Sequence, residues 1–256
     1  MLSQCLKKLK EFNKMNLKNL ALTKTFDEFQ KIIINKEIIN TTKNFINILN
    51  DYKIIVHRIS LSSANNLPVE LKNKKFYTSE VKNYNYWTQR VLDANTPKQK
   101  QIASIMRMKA MMEYPSKERY AKELLNSINS KCIVFANTQD QADRMCKDSY
   151  HSNNPDSETN LQDFKVGNIT KLSCVLQLNE GVNIPGLKQG IIMHAYGNER
   201  KASQRIGRLL RLNPDDKAIV HILCYIGTVD EKWVKEALED FDQSKIVWRN
   251  YKLQAV

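Results

Sequence analysis

Gln204, Arg208 and Arg211 recur at intervals of four and three residues in the run QRIGRLLR, and on a helix that spacing puts all three on one face. Two guanidinium groups on one face can reach a single phosphate group. Arginine suits the task because its charge is permanent and its planar fork matches phosphate oxygens. Gly207, inside the run, lets the helix come close to another backbone. A basic helix face turned to solvent has the same composition, so these residues alone leave both readings open.

Two more segments narrow the choice. LNEGVNIP at 178–185 fits the pattern LxEGxDxP, with Asn183 in place of the acid, and CIVFANTQDQAD at 132–143 reads as a strand, a polar turn and the start of a helix. With QRIGRLLR as QRxGRxxR, their order and spacing resemble motifs IV, V and VI of superfamily 2 helicases. The lobe in question is the C-terminal RecA-like one, in a form found among excision-repair and restriction motors and phage-encoded members. The resemblance implies that Arg208 and Arg211 are arginine fingers on the γ-phosphate of ATP, an effect worth about 10³–10⁵ in rate. It implies that Gln204 contacts the nucleotide and that Gly181 and Asn183 face the cleft near the ribose. Asn183 can hydrogen-bond there but brings no charge.

The same resemblance assigns nucleic-acid contacts to two polar turns. Asn137, Thr138 and Gln139 follow the first strand, and His151 and Ser152 follow a second. Small polar side chains and turn N–H groups suit backbone phosphates, and such contacts carry no sequence information. A histidine in a polar turn is also what an ordinary solvated histidine looks like.

Other parts of a motor are missing from these 256 residues. GVNIPGLK at 181–188 approaches the phosphate-binding pattern GxxxxGK[ST], but Leu187 stands where the lysine is needed and no Ser or Thr follows. No DEAD or DExH run occurs, and the first 166 residues contain no glycine. The expectation is a partner chain carrying motifs I and II, which would hold most of the ATP and its Mg²⁺, and no ATP hydrolysis by this chain alone. LALTKT at 20–25 resembles motif III. Residues 1–115 are therefore read as a basic remnant of a first lobe plus linker, and 116–256 as the C-terminal lobe.

The net charge is +13, and residues 1–100 hold 18 Lys/Arg against 8 Asp/Glu. Such an excess attracts a polyanion; single-stranded or duplex nucleic acid is expected, with DNA favoured over RNA. No apolar run reaches the roughly 18 residues of a membrane span, and a cytoplasmic protein is expected, in the host cytoplasm if the source is viral. The five cysteines form no CxxC, so no metal site is expected. A non-catalytic nucleic-acid-binding or helicase-docking module is the alternative function; the retained arginines favour the motor.

KCIVFAN (131–137), LSCVLQL (172–178), GIIMHAY (190–196) and KAIVHILCY (217–225) are apolar runs that alternate with helical patterns. That alternation predicts an α/β fold, a RecA-like parallel sheet from about Ser116 with helices on both faces. A mainly helical segment with a short β-hairpin should precede it, built from strands at 52–61 and 69–78. Helices are expected over 79–92, 98–113 and from an N-cap at Ser116 to about Ile128, over 138–150, over 160–167 closed by Gly167, and over 231–241.

Overall fold

The computed structural model describes residues 52–71, 74–175, 184–195, 218–239 and 241–251, all within a compact unit that runs from Phe45 to Val256. The mainly helical stretch expected over residues 1–50, the LALTKT run within it, and the candidates Gly181, Asn183, Gln204, Arg208 and Arg211 lie outside the described residues.

Nine strands are described: β1 (Tyr52–Ile59), β2 (Leu67–Leu71), β3 (Lys74–Thr78), β4 (Cys132–Ala136), β5 (Ser149–Tyr150), β6 (Lys171–Val175), β7 (Gln189–Ile192), β8 (Ala218–Tyr225) and β9 (Ile246–Tyr251). Seven of them form one sheet in the order β5-β6-β4-β7-β8-β1-β9, and every pairing in it is parallel. The helices are α1 (Glu80–Leu92), α2 (Pro97–Met112), α3 (Pro115–Ser127), α4 (Gln139–Met145), α5 (Ser157–Val166) and α6 (Val229–Leu238).

The sheet is buried on both sides, which is why its strands read as continuous apolar runs. Along β4, Ile133 and Phe135 face a core shared with Leu161 and Phe164 of α5 and Val234 of α6. Cys132 and Val134 face the opposite core, with Ala121 and Leu125 of α3 and Met145 of α4. Each such side chain contributes roughly 1.5–3 kcal/mol by leaving water. The α/β class and the parallel sheet with helices on both faces are therefore as expected.

Three expectations need correction. β1 does not pair with 69–78; it lies inside the sheet, parallel to both β8 and β9. Its burial is nearly continuous, with only Lys53 exposed, so its β-branched run suits a strand covered on both faces and not one arm of a hairpin. The hairpin instead folds within 67–78, where β2 pairs antiparallel with β3. Ser116 is not an N-cap: Pro115 opens α3, as its fixed φ and missing N–H favour, and Ser116 sits buried in the first turn. The helix expected over 138–150 stops at Met145, because Ser149 and Tyr150 pair with β6.

Candidate functional site

In a parallel sheet all strands end on one edge, so the turns after β4 and β5 share it. The turn after β4 is held by its own side chains. Thr138 caps α4, its hydroxyl accepting the Gln141 N–H at 3.2 Å. Gln141 Oε1 accepts the Asn137 N–H at 3.0 Å, and its Nε2 donates to the carbonyl of Met112 at 3.0 Å. This is a capping-box pairing shifted by one residue. It uses one lone pair of the Thr138 hydroxyl, whose own O–H can still donate to a ligand.

The second turn is tied to the first. Gln139 Nε2 donates to Ser152 Oγ at 3.0 Å. His151 Nε2 donates to Asp143 Oδ1 at 2.8 Å, and its backbone N–H donates to Ser157 Oγ at 3.0 Å. Ser149 and His151, both bonded to Asp143, hold that carboxyl below its usual range. All five nucleic-acid candidates are thus brought to neighbouring turns on one edge.

Two groups there lack partners among the described residues: both polar atoms of the Asn137 side chain and Nδ1 of His151 are buried without a hydrogen bond. A buried, unpaired polar group costs about 1–3 kcal/mol. With Nε2–H committed to Asp143, Nδ1 of the neutral ring can only accept.

The edge is also where the chain order changes sides. From β4 the chain passes to β5 and β6 on one side, and then to β7 and β8 on the other. Ligands of open α/β sheets bind outside the strand ends at such a switch point. β6 ends there at Val175 and β7 at Ile192. The residues that follow these ends in the sequence include Gly181 and Asn183 in one case, and Gln204, Arg208 and Arg211 in the other.

Beside the β7 exit lies a buried cluster that the sequence reading missed. Lys117 of α3 forms an ion pair with Asp230 of α6, and its Nζ donates to His194 Nδ1 at 2.8 Å. Lys117 and Asp230 are 1% and 0% exposed, so each needs the other. Burial alone would raise the Asp230 carboxyl, but Lys117 and His194 outweigh it and hold it at about 2. Burial in turn pulls the Lys117 ammonium downward against the attraction of Asp230. Tyr225 donates its backbone N–H to Asp230 at 3.0 Å, and its ring lies 4.5 Å beneath the ammonium. Glu80 completes the base of the cluster, accepting from the N–H and hydroxyl of Ser116 at 2.9 and 2.6 Å. Nothing in the spacing of Lys117 separates it from the other Lys and Arg residues, 40 in all; only Thr228 followed by Asp230 and Glu231, a helix-start pattern, hinted at a fixed acid.

Among the described residues no group of three or more His, Cys, Asp or Glu could hold a metal ion. No helix among them is long and apolar enough to cross a membrane.

Residues 116–213 match the model of the helicase conserved C-terminal domain. The DNA 3'-5' translocase XPB2 of Sulfurisphaera tokodaii is 30% identical over 122 residues, which are 45% of this chain and 28% of that protein. The chain thus spans little more than a quarter of that relative. Two solved structures are similar at low identity. The Hef helicase domain of Pyrococcus furiosus has a TM-score of 0.38 and 21% identity, over 59% of this chain and 36% of that one. Dbp5 of S. cerevisiae, bound to RNA and ADP BeF3, has a TM-score of 0.45 and 16% identity, over 53% of this chain and 39% of that one.

Proposed function

We propose that residues 116–213 act as the C-terminal lobe of an ATP-dependent nucleic-acid translocase. They would supply Arg208 and Arg211 to a nucleotide held, with Mg²⁺, on another lobe that carries a phosphate-binding loop. Gln204, Gly181 and Asn183 would contact the same nucleotide. The turns at Asn137–Gln139 and His151–Ser152 would grip the backbone of one strand, DNA in preference to RNA. One observation supports this reading most: the two turns and the ends of β6 and β7 lie on a single edge of a parallel sheet at its switch point.

The arrangement suggests a division of labour. Turn N–H groups and short polar side chains hold phosphates without reading bases, while a positioned guanidinium stabilises charge that develops only during phosphoryl transfer. The test is ATP hydrolysis by the chain alone and then with a lobe bearing the phosphate-binding loop. The expected result is no turnover alone and strand-stimulated turnover together. Arg208→Ala and Arg211→Ala should each lower the latter by about 10²-fold or more. Arg208→Lys should rescue little, because lysine keeps the charge but not the planar fork. Arg205 serves as the control, with Arg205→Ala affecting thermal stability more than turnover. Turnover by the chain alone that Arg208→Ala abolishes would sink the proposal.

A further inference from the structure

We propose that the β2–β3 hairpin and the outward face of α1 form a stacking platform for single-stranded nucleic acid, in addition to the turns at the sheet edge. The inference rests on the nucleic-acid reading above.

Residues 67–90 hold five Lys/Arg and two Asp/Glu, and one of those acids, Glu80, is fully buried. On β3, Phe76 is 45% and Tyr77 71% exposed. Successive strand residues point to opposite faces, so the hairpin presents an aromatic ring on each side, next to exposed Lys75. On α1 the exposed residues Lys82, Tyr86 and Arg90 recur every four positions, one continuous stripe. Tyr86 packs edge-on against Trp87 with centroids 5.1 Å apart. Exposed aromatic rings interleaved with cations suit a flexible polyanion that carries bases.

The platform is braced. Leu67 of β2 and Tyr84 of α1 enter the same core cluster. Glu80, at the start of α1, accepts the Ser62 N–H at 2.8 Å from the loop that leads into the hairpin. Bases would therefore stack on rings whose supports are already ordered, which lowers the entropy lost on binding.

The test uses the full chain, labelled oligo-dT and oligo-rU of about 20 nucleotides, and heparin as a polyanion without bases. Phe76→Ala with Tyr77→Ala should weaken oligonucleotide binding by roughly tenfold or more and leave heparin binding unchanged. Tyr77→Phe should keep wild-type affinity, and Lys75→Ala with Lys82→Ala should weaken both ligands. Equal losses of oligonucleotide and heparin in the aromatic variant would mean that the rings make no contact particular to bases, and would overturn the platform. Wild-type oligonucleotide affinity in that variant would also overturn it. If Asn137→Ala and Gln139→Ala then abolish binding, the platform fails while the function proposed for the sheet edge survives. If the wild-type chain binds neither oligonucleotide, both fail as nucleic-acid sites.

Discussion

The Asn137 side chain occupies an expensive position. Its amide is buried with neither atom hydrogen-bonded among the described residues, at the end of a fully buried strand. If that amide serves a ligand, stability and binding should move in opposite directions. Asn137→Ala removes the unpaired group and should leave the melting temperature unchanged or raise it, by up to about 1 kcal/mol of stability, while oligonucleotide affinity falls severalfold. Thermal melts and anisotropy titrations on one preparation check this; a destabilised variant that binds normally would make Asn137 a structural residue. Lys117 is the opposite case. It is buried and bonded to both His194 and Asp230, so Lys117→Met should cost about 3–5 kcal/mol by leaving the buried Asp230 carboxylate without its ammonium partner. Adding Asp230→Leu should recover most of that loss in a chemical denaturation series, because replacing both members of a buried pair with apolar groups is often close to neutral.

At the scale of elements, β1 is locked to its neighbours by a chain of polar groups. His221 Nε2 donates to Gln189 Oε1 at 2.9 Å, which leaves its Nδ1 to accept from His57 Nε2 at 2.9 Å. His57 Nδ1 in turn accepts from Tyr120 of α3. The chain is complete only when both rings are neutral. Burial first, then mutual repulsion and the nearby Arg249, lower His57 to about 3, and burial and Arg249 lower His221 to about 4. Both folded values lie below the unfolded 6.5, so the unfolded state binds more protons between them. Stability is then fully present above about pH 6.5 and falls as the pH drops towards 4, by up to roughly 1.4 kcal/mol per pH unit for each ring. The melting temperature should follow that window, and His57→Gln with His221→Gln should flatten it; an unchanged slope would remove these rings as the cause. β1 also shows where the sequence was legible. KIIVHRI announced a strand by its β-branched residues, and CIVFA and AIVHILCY did so by unbroken apolarity. What no local pattern carried was the partner: β1 joins β8, whose His221 lies 164 residues beyond the His57 to which it is hydrogen-bonded, and such long-range pairing depends on the whole core. β9 was missed for a related reason, since its exposed Trp248, Arg249 and Asn250 hide the alternation that marks a strand. The turns after β4 and β5 were legible because cap residues announce themselves, whereas buried Lys117 looks like any surface lysine until the fold encloses it.

The molecule as a whole pairs a rigid parallel sheet with an uneven charge. Of the net +13, residues 1–100 carry +10, from 18 Lys/Arg and 8 Asp/Glu. Residues 101–256 are nearly balanced, with 22 Lys/Arg and 19 Asp/Glu. The long-range attraction therefore belongs to the first part of the chain, and the positioned polar turns to the second. A strand drawn in by charge and then held by turns that touch only its backbone should bind without regard to base sequence. It should also release counterions, so that log affinity falls linearly with log salt, at about −0.7 for each phosphate neutralised on a single strand. For four to six such contacts the slope would be roughly −3 to −4. Titrations of the full chain with two oligonucleotides of equal length and unrelated sequence, between low and physiological salt, measure both quantities. The expected outcome is affinities within a few-fold of one another at every salt concentration and a steep common slope. Binding that ignores salt, or that prefers one sequence a hundredfold, would instead require base contacts that backbone-gripping turns cannot make, and would argue that the chain recognises a site and does not travel along a strand.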